Sequence, residues 1–205
     1  LTAGGLVLSQ CQAFLVQCGL STLLGRTICT SLLVFSFFEI FPSSPVGVSE
    51  VHLILGSTLF LLFGLVPTAL SLAIGLLAQG ILLAPLDLPQ YGMNVTTLLL
   101  PLFLVSAVAE RIIPRMTAYQ NLSYGQVLQL SLVYQGGIVS WVAFWAFYGQ
   151  GFGAENIVQV LSFGAAYLTV IVLEPLINLG LLAGVKAFPA LNSSSLLSRR
   201  LFQPA

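Results

Sequence analysis

One histidine stands in the 205 residues, His52, at the head of the apolar run VHLILGSTLFLLFG. An imidazole there must be hydrogen-bonded, hydrated or metal-bound, because an unsatisfied polar group in hydrocarbon costs several kcal/mol. Imidazole is also a good ligand for late divalent transition metals. On the residues alone two readings stay open: a hydrogen-bonded structural histidine, or one donor of a metal site that needs three or four. Glu50, two residues earlier, either bonds a partner or is solvated. Gln79 lies near the end of a later apolar run, where its amide either orients His52 or ties two helices together. The turn at 87–94, DLPQYGMN, holds Pro89, Gly92 and two side-chain turn formers, Asp87 and Asn94. It is expected to close over the same pocket as His52, with Tyr91 inside it, and Asn94 also suits the N-cap of the next helix.

The elements that must position these groups are membrane helices. Hydrophobic residues make up 58% of the chain and charged residues 6%, with a mean hydropathy of +1.03, too apolar a surface for water. Zero net charge gives no reason to expect a nucleic-acid partner; the expected surroundings are the lipid bilayer. Cys11, Cys18 and Cys29 form no CxxC and read as small apolar filler.

Apolar segments are expected at 3–20, 28–41, 49–63, 67–83, 94–113, 126–148 and 156–183. The third and fourth could be taken as one, since 51–85 contains no formal charge. At about 1.5 Å per residue that helix would be roughly 52 Å long, against a hydrocarbon core of about 30 Å. A break at Gly64-Leu65-Val66-Pro67 resolves this, with Pro67 near the start of its helix, where a missing N–H costs nothing. The second segment stops at Pro42-Ser43-Ser44-Pro45, and Pro101 and Pro175 are expected to kink the fifth and seventh. The fold class is thus all-α, a polytopic membrane protein of seven transmembrane helices, with residues 1–190 as one transmembrane domain and 191–205 as a polar tail.

Charge tests that count. Lys and Arg occur at 26, 111, 115, 186, 199 and 200, after the first, fifth and seventh segments, while the opposite loops carry Glu50, Asp87 and Glu155 and no basic residue. By the positive-inside rule the amino terminus, His52 and the 87–94 turn lie outside and the carboxy terminus is cytoplasmic. Glu174 lies deeper, before Pro175, and needs a polar neighbour such as Asn178 or Gln135. Neither HExxH nor a Ser/His/Asp set that one histidine could serve is present, so an intramembrane enzyme is disfavoured. No GxxxxGK[ST] occurs, so any energy input comes from another chain.

VSEVHLILGSTLFLLFG followed by LLAQGILLAPLDLPQYGMNVTTLLLPL resembles the CbiM/NikM family, the substrate-capturing membrane components of energy-coupling-factor ABC transporters for cobalt and nickel. LSLVYQGGIVSWVAFWAFYGQGFG and the stretch around Glu174-Pro175 extend the likeness over 20–185. His52 matches the family's histidine in its ser/gly-x-x-His-leu-x-x-gly context, Gln79 its glutamine-bearing helix, and Gly92-Met93-Asn94 its gly-x-asn turn. The resemblance implies uptake of Co²⁺ or Ni²⁺ as transported substrate, with no permanent cofactor. It also implies separate ATPase subunits, a transmembrane coupling (T) subunit and a small CbiN-like subunit, in the cell's inner membrane. In the family the ion sits in a nearly square-planar set of nitrogens. These come from the amino-terminal amine, the next amide and its histidine, and the helix histidine. Only the last carries over, to His52, with supporting roles implied for Gln79, Asn94, Glu50 and Tyr91.

The chain opens Leu1-Thr2-Ala3, without Met or a second histidine. The expectation is an amino-terminally truncated first helix. The alternative is a structural or assembly subunit that keeps the fold without the metal site.

Overall fold

The computed structural model describes residues 3–41 and 43–204, those from 3 to 9 by their backbone alone. The opening Leu1-Thr2, where leading metal donors are expected to be missing, lies outside the described residues, as does Pro42.

Helix α1 (Ala3–Cys18) meets α2 (Leu20–Glu39) at Gly19. A two-stranded antiparallel hairpin follows, β1 (Ser44–Val46) and β2 (Ser49–Val51), with Pro45 opposite Glu50. Then come α3 (Gly56–Phe63), α4 (Leu65–Leu82), a 3₁₀ turn at Pro85–Gln90, α5 (Tyr91–Ile112), α6 (Tyr124–Gln150) and α7 (Ala154–Ala187). A 3₁₀ turn at Pro189–Ser193 and the short α8 (Arg199–Phe202) complete it. Among the described residues five helices are long and apolar enough to cross a membrane: α2, α4, α5 with the 3₁₀ turn before it, α6 and α7. The chain is an all-α polytopic membrane protein.

All seven apolar segments contain a helix, and two of these helices are short, α1 with 16 residues and α3 with eight. The break between α3 and α4 falls where length demanded it. Gly64 has φ 89°, a region that a side chain resists, and Pro67 lies in the first turn of α4.

The third segment departs from expectation. Helix was expected over 49–63, but Ser49–Val51 is a strand and helix begins only at Gly56. His52 therefore opens no helix; it lies in an irregular stretch whose Ile54 N–H turns back onto His52 O at 3.0 Å. Strand pairing with Ser44–Val46 claims the backbone before it. The protein itself meets part of this backbone, Ile54 O accepting from Gln135 Nε2 at 2.8 Å.

The second segment also starts earlier than expected, at Leu20, which puts Arg26 inside α2 and 4% exposed rather than in a connecting loop. The 87–94 turn is part 3₁₀ helix and part first turn of α5, so Asn94 is a helical residue and Gln90 holds the N-cap position. At α6 the start is written locally: Ser123 and Gln126 form a reciprocal capping box.

Consecutive long helices pack as neighbours, α4 on α2 and α5, and α6 on α5 and α7. The short α3 is inserted among α4, α5, α6 and α7. Its first residue, Gly56, is pressed so closely to the ring of Tyr134 that a Cβ would collide with it.

Basic groups gather at one end of this bundle. Arg26 donates to Phe63 O and Ser195 O, Lys186 to Asn121, and Arg200 to Pro114 O and Arg115 O. Glu39, Glu50 and Asp87 are grouped around His52 at the other end. Glu50 and Asp87 thus lie together, apart from Lys186 and Arg200.

Candidate functional site

A cavity of about 410 Å³ lies beneath the hairpin. His52 and Glu50 reach it from the hairpin side, Gln79 from α4, Asp87 and Gln90 from the 3₁₀ turn, and Asn94 and Thr97 from α5. Phe38, Leu98, Ile138, Phe163 and Tyr167 form its apolar floor and sides.

His52 is held from two sides, and one of its ring nitrogens is left over. Its Nε2 faces Glu50 Oε2 at 3.2 Å, with the histidine side chain 14% exposed and that of Glu50 57%. Phe38 packs edge-on against the ring at a centroid distance of 5.1 Å. Nδ1 is buried with no hydrogen-bond partner among the described residues. With Nε2–H donated to Glu50, the lone pair falls on Nδ1, the arrangement in which a carboxylate fixes the tautomer and orientation of a ligand imidazole. Burial pushes the imidazole pKa below its ordinary value, against the opposing pull of Glu50 and the weaker fields of Glu39 and Asp87. The ring is thus neutral near pH 7, as a metal donor must be.

The other expected residues divide. Glu50 bonds His52 rather than being merely solvated. Gln79 and Asn94 line the same cavity, but neither hydrogen-bonds His52. Tyr91 stands apart: its hydroxyl donates to Ala73 O at 2.9 Å, fixing the start of α5 to α4, and it is not part of the cavity wall. Among the described residues no three His, Cys, Asp or Glu side chains converge on a metal position. One imidazole nitrogen, two carboxylates and several amides are what the cavity offers.

What fixes His52 in depth is a residue that sequence reading had treated only as in need of a partner. Glu174 of α7, fully buried, is the anchor of the stretch that follows the histidine. Its Oε1 accepts from Ser57 N (3.0 Å) and Ser57 Oγ (2.9 Å), so the carboxylate sits at the N-terminus of α3, where the helix dipole favours an anion. Its Oε2 accepts from Ser131 Oγ (2.7 Å) and Gln135 Nε2 (2.9 Å). Gln135 Nε2 also donates to Ile54 O at 2.8 Å, two residues from His52. Asn178 joins through Ser57 Oγ at 3.0 Å. Of the two neighbours expected for Glu174, Gln135 bonds it directly and Asn178 through Ser57. That Ser57 and Ser131 complete the set, and that the set caps a half-helix, had no signal in the sequence.

A membrane-embedded helical protein with a polar cavity at one end, walled by a neutral histidine and carboxylates, belongs to the class that handles small cations. The chain matches the family described as the cobalt uptake substrate-specific transmembrane region (CbiM) over residues 10–190, and it belongs to that family. It is a membrane-transport protein of the cobalt uptake that serves cobalamin biosynthesis, multi-pass in a prokaryotic inner membrane, and such transporters work with other subunits. No curated protein and no solved structure matches it.

Proposed function

We propose that the chain captures Co²⁺ or Ni²⁺ at the His52 end, which faces outward, and releases it inward when partner subunits hydrolyse ATP. His52 supplies one nitrogen through Nδ1, with Glu50 fixing the ring from behind. The remaining nitrogen donors come from residues leading the chain, and Gln79, Asn94 and Asp87 hold the ion's outer water shell. Nitrogen donors in a tetragonal plane suit Ni²⁺ and accept Co²⁺. The partners are separate ATPase subunits, a transmembrane coupling (T) subunit and a CbiN-like subunit. Residues 1–190 act as the transmembrane domain, and 191–205 as a tail on the cytoplasmic side.

The observation that carries this reading is the buried, unpartnered Nδ1 of a neutral imidazole that lines a polar cavity. The test is Co²⁺ binding and uptake by the protein as the cell makes it, with and without His52→Ala. Loss of high-affinity binding in a folded variant supports the proposal; equal binding by both removes it. The runner-up, a structural or assembly subunit, draws on the lack of any three converging ligands among the described residues. It predicts that neither protein binds the ion.

A further inference from the structure

At the end of the bundle opposite His52 a second hollow, of about 320 Å³, opens between the start of α2 and the tail. Two guanidinium groups line it, Arg26 and Arg199, and between them stand Thr22, Ser194, Ser195 and Gln203, all neutral hydrogen-bonding side chains. Among the described residues no carboxylate forms any part of the wall. Arg26 is buried to 4% exposure, its Nε donating to Ser195 O at 2.8 Å and its Nη1 to Phe63 O at a longer 3.4 Å. These carbonyls and the face of the Phe14 ring, 5.6 Å from the guanidinium carbon, orient the group, but among the described residues no carboxylate balances its charge, and a buried charge without a counter-ion is expensive. Among the described residues no Lys or Arg is paired with a carboxylate; the one contact of that kind is between the neutral His52 and Glu50, at the far end.

We infer that this hollow binds a phosphate-bearing anion, namely the phosphodiester headgroup of an anionic lipid in the leaflet that faces the basic end. Planar guanidinium groups match phosphate oxygens in a fork geometry, and hydroxyl donors from Thr22, Ser194 and Ser195 can take the oxygens left over. Basic pockets among the cytoplasmic ends of membrane helices suit anionic headgroups by the same electrostatics. A lipid rather than a free ion is favoured by the tail that forms the outer wall. Phe188, Leu191 and Leu196, which bracket its serines, are 66%, 36% and 44% exposed. Apolar side chains so placed lie against lipid when the hollow sits at headgroup depth. The tail is therefore a surface-lying wall, held at Ser195 O by Arg26 and at Ser198 N by Leu62 O (2.7 Å).

The test uses the whole chain in nanodiscs of phosphatidylcholine doped with phosphatidylglycerol, with bound lipid counted by native mass spectrometry. A second arm adds excess inorganic phosphate. Arg199→Gln is the main variant, because Arg199 is exposed and its removal leaves the Arg26 clamp in place; Arg26→Lys keeps the charge and removes the fork. The expected result is about one phosphatidylglycerol retained per chain, undisturbed by inorganic phosphate. Arg199→Gln should weaken retention roughly fivefold, the equivalent of about 1 kcal/mol for one cation at a membrane surface. Arg26→Lys should also weaken it. Equal retention of the two lipids, or no change in Arg199→Gln, overturns the assignment. Displacement by inorganic phosphate assigns the hollow to the free ion and overturns the lipid reading. None of these outcomes depends on whether the chain carries cobalt.

Discussion

Replacing Glu174 by Gln tests whether one carboxylate holds the histidine-bearing stretch in place. The substitution keeps the shape and removes the charge, so four donors now face one oxygen and one NH₂ group. Two donors are hydroxyls that can rotate, those of Ser57 and Ser131. The others cannot yield: Ser57 N is backbone, and Gln135 Nε2 is committed to Ile54 O as well. Either orientation of the new amide therefore sets an N–H against an N–H. Hydrogen bonds to a charged group contribute about 1.5–3 kcal/mol against 0.5–1.5 for neutral ones, and a buried donor left unpaired costs about 1–3. Relief from burying a charge offsets part of this. The net expectation is a loss of about 2 kcal/mol, roughly a thirtyfold rise in the population whose α3 start has come away from α6 and α7. The assay is unfolding by sodium dodecyl sulfate titration, read by far-UV circular dichroism, together with Co²⁺ affinity of the same samples. Glu174→Ala should cost more, about 3–5 kcal/mol, since it removes the acceptor of all four contacts at once and leaves the Ser57 N–H without a partner. A Glu174→Gln protein within about 0.5 kcal/mol of the parent, with unchanged Co²⁺ affinity, would refute the claim that this network positions His52.

Glu50→Gln should keep the fold, because Glu50 is half exposed, and should weaken Co²⁺ binding by about 10–100-fold through loss of the carboxylate behind the imidazole, measured by equilibrium dialysis. Acid should lower stability by way of the same ring. Burial holds the folded imidazole below the ordinary pKa of 6.5, so the fold takes up this proton less readily than the unfolded chain does. His52 thus contributes nothing unfavourable above pH 6.5, and its contribution to stability declines as pH falls below 6.5 through the folded value; a stability profile that changes equally over that window in the parent and in His52→Gln would contradict the assigned burial. Gly64→Ala should destabilise by about 1–3 kcal/mol in the same unfolding assay, because φ 89° with ψ 171° is a backbone region essentially confined to glycine. Gly92→Ala, at a helical position with open space around it, serves as the control and should be neutral or stabilising.

The long helices were legible because hydrocarbon imposes a length and forbids charge, and both constraints are one-dimensional. The α3–α4 break followed from the same arithmetic, and Gly64 stands where it predicts. The cap of α6 was equally present in the chain as Ser123 and Gln126, although the expected start at 126 fell just after it. Legibility ended where a local preference was overruled from a distance. Nothing in VSEVHLILG says that Val51 will pair with Ser44, or that a carboxylate 117 residues later will start the helix at Gly56 and not at Ser49. Tyr91 was misplaced for a related reason: adjacency to Gly92 and Asn94 in the chain suggested one pocket, while the helical register of α5 sends its hydroxyl to Ala73.

These two outcomes share a cause that bears on mechanism. An imidazole can be mounted on a membrane helix only at the depth and bearing that the helical register dictates. Mounting it on a non-helical stretch frees both, at the cost of backbone groups that lipid cannot satisfy. The hairpin meets part of that cost, and Gln135 meets more by donating to Ile54 O, with Glu174 compensating the exposed start of α3. The stretch from His52 to Ser57 is thereby tied to α6 and α7, while the opposite cavity wall, with Gln79, Asp87 and Asn94, belongs to α4 and α5. A motion that altered the packing of α5 on α6 would therefore change the distance from His52 to the amide side of the cavity without breaking the anchor. A cross-link between Thr96 and Trp141, whose side chains already meet at 3.2 Å across that interface, should leave equilibrium Co²⁺ binding intact and halt its release. Cysteines placed at those positions, with the natural cysteines replaced, are joined by a short bis-thiosulfonate linker that fills the length the indole leaves, and reduction opens the link for comparison. Release that proceeds unchanged with the cross-link closed would show that the cavity empties without parting these two helices.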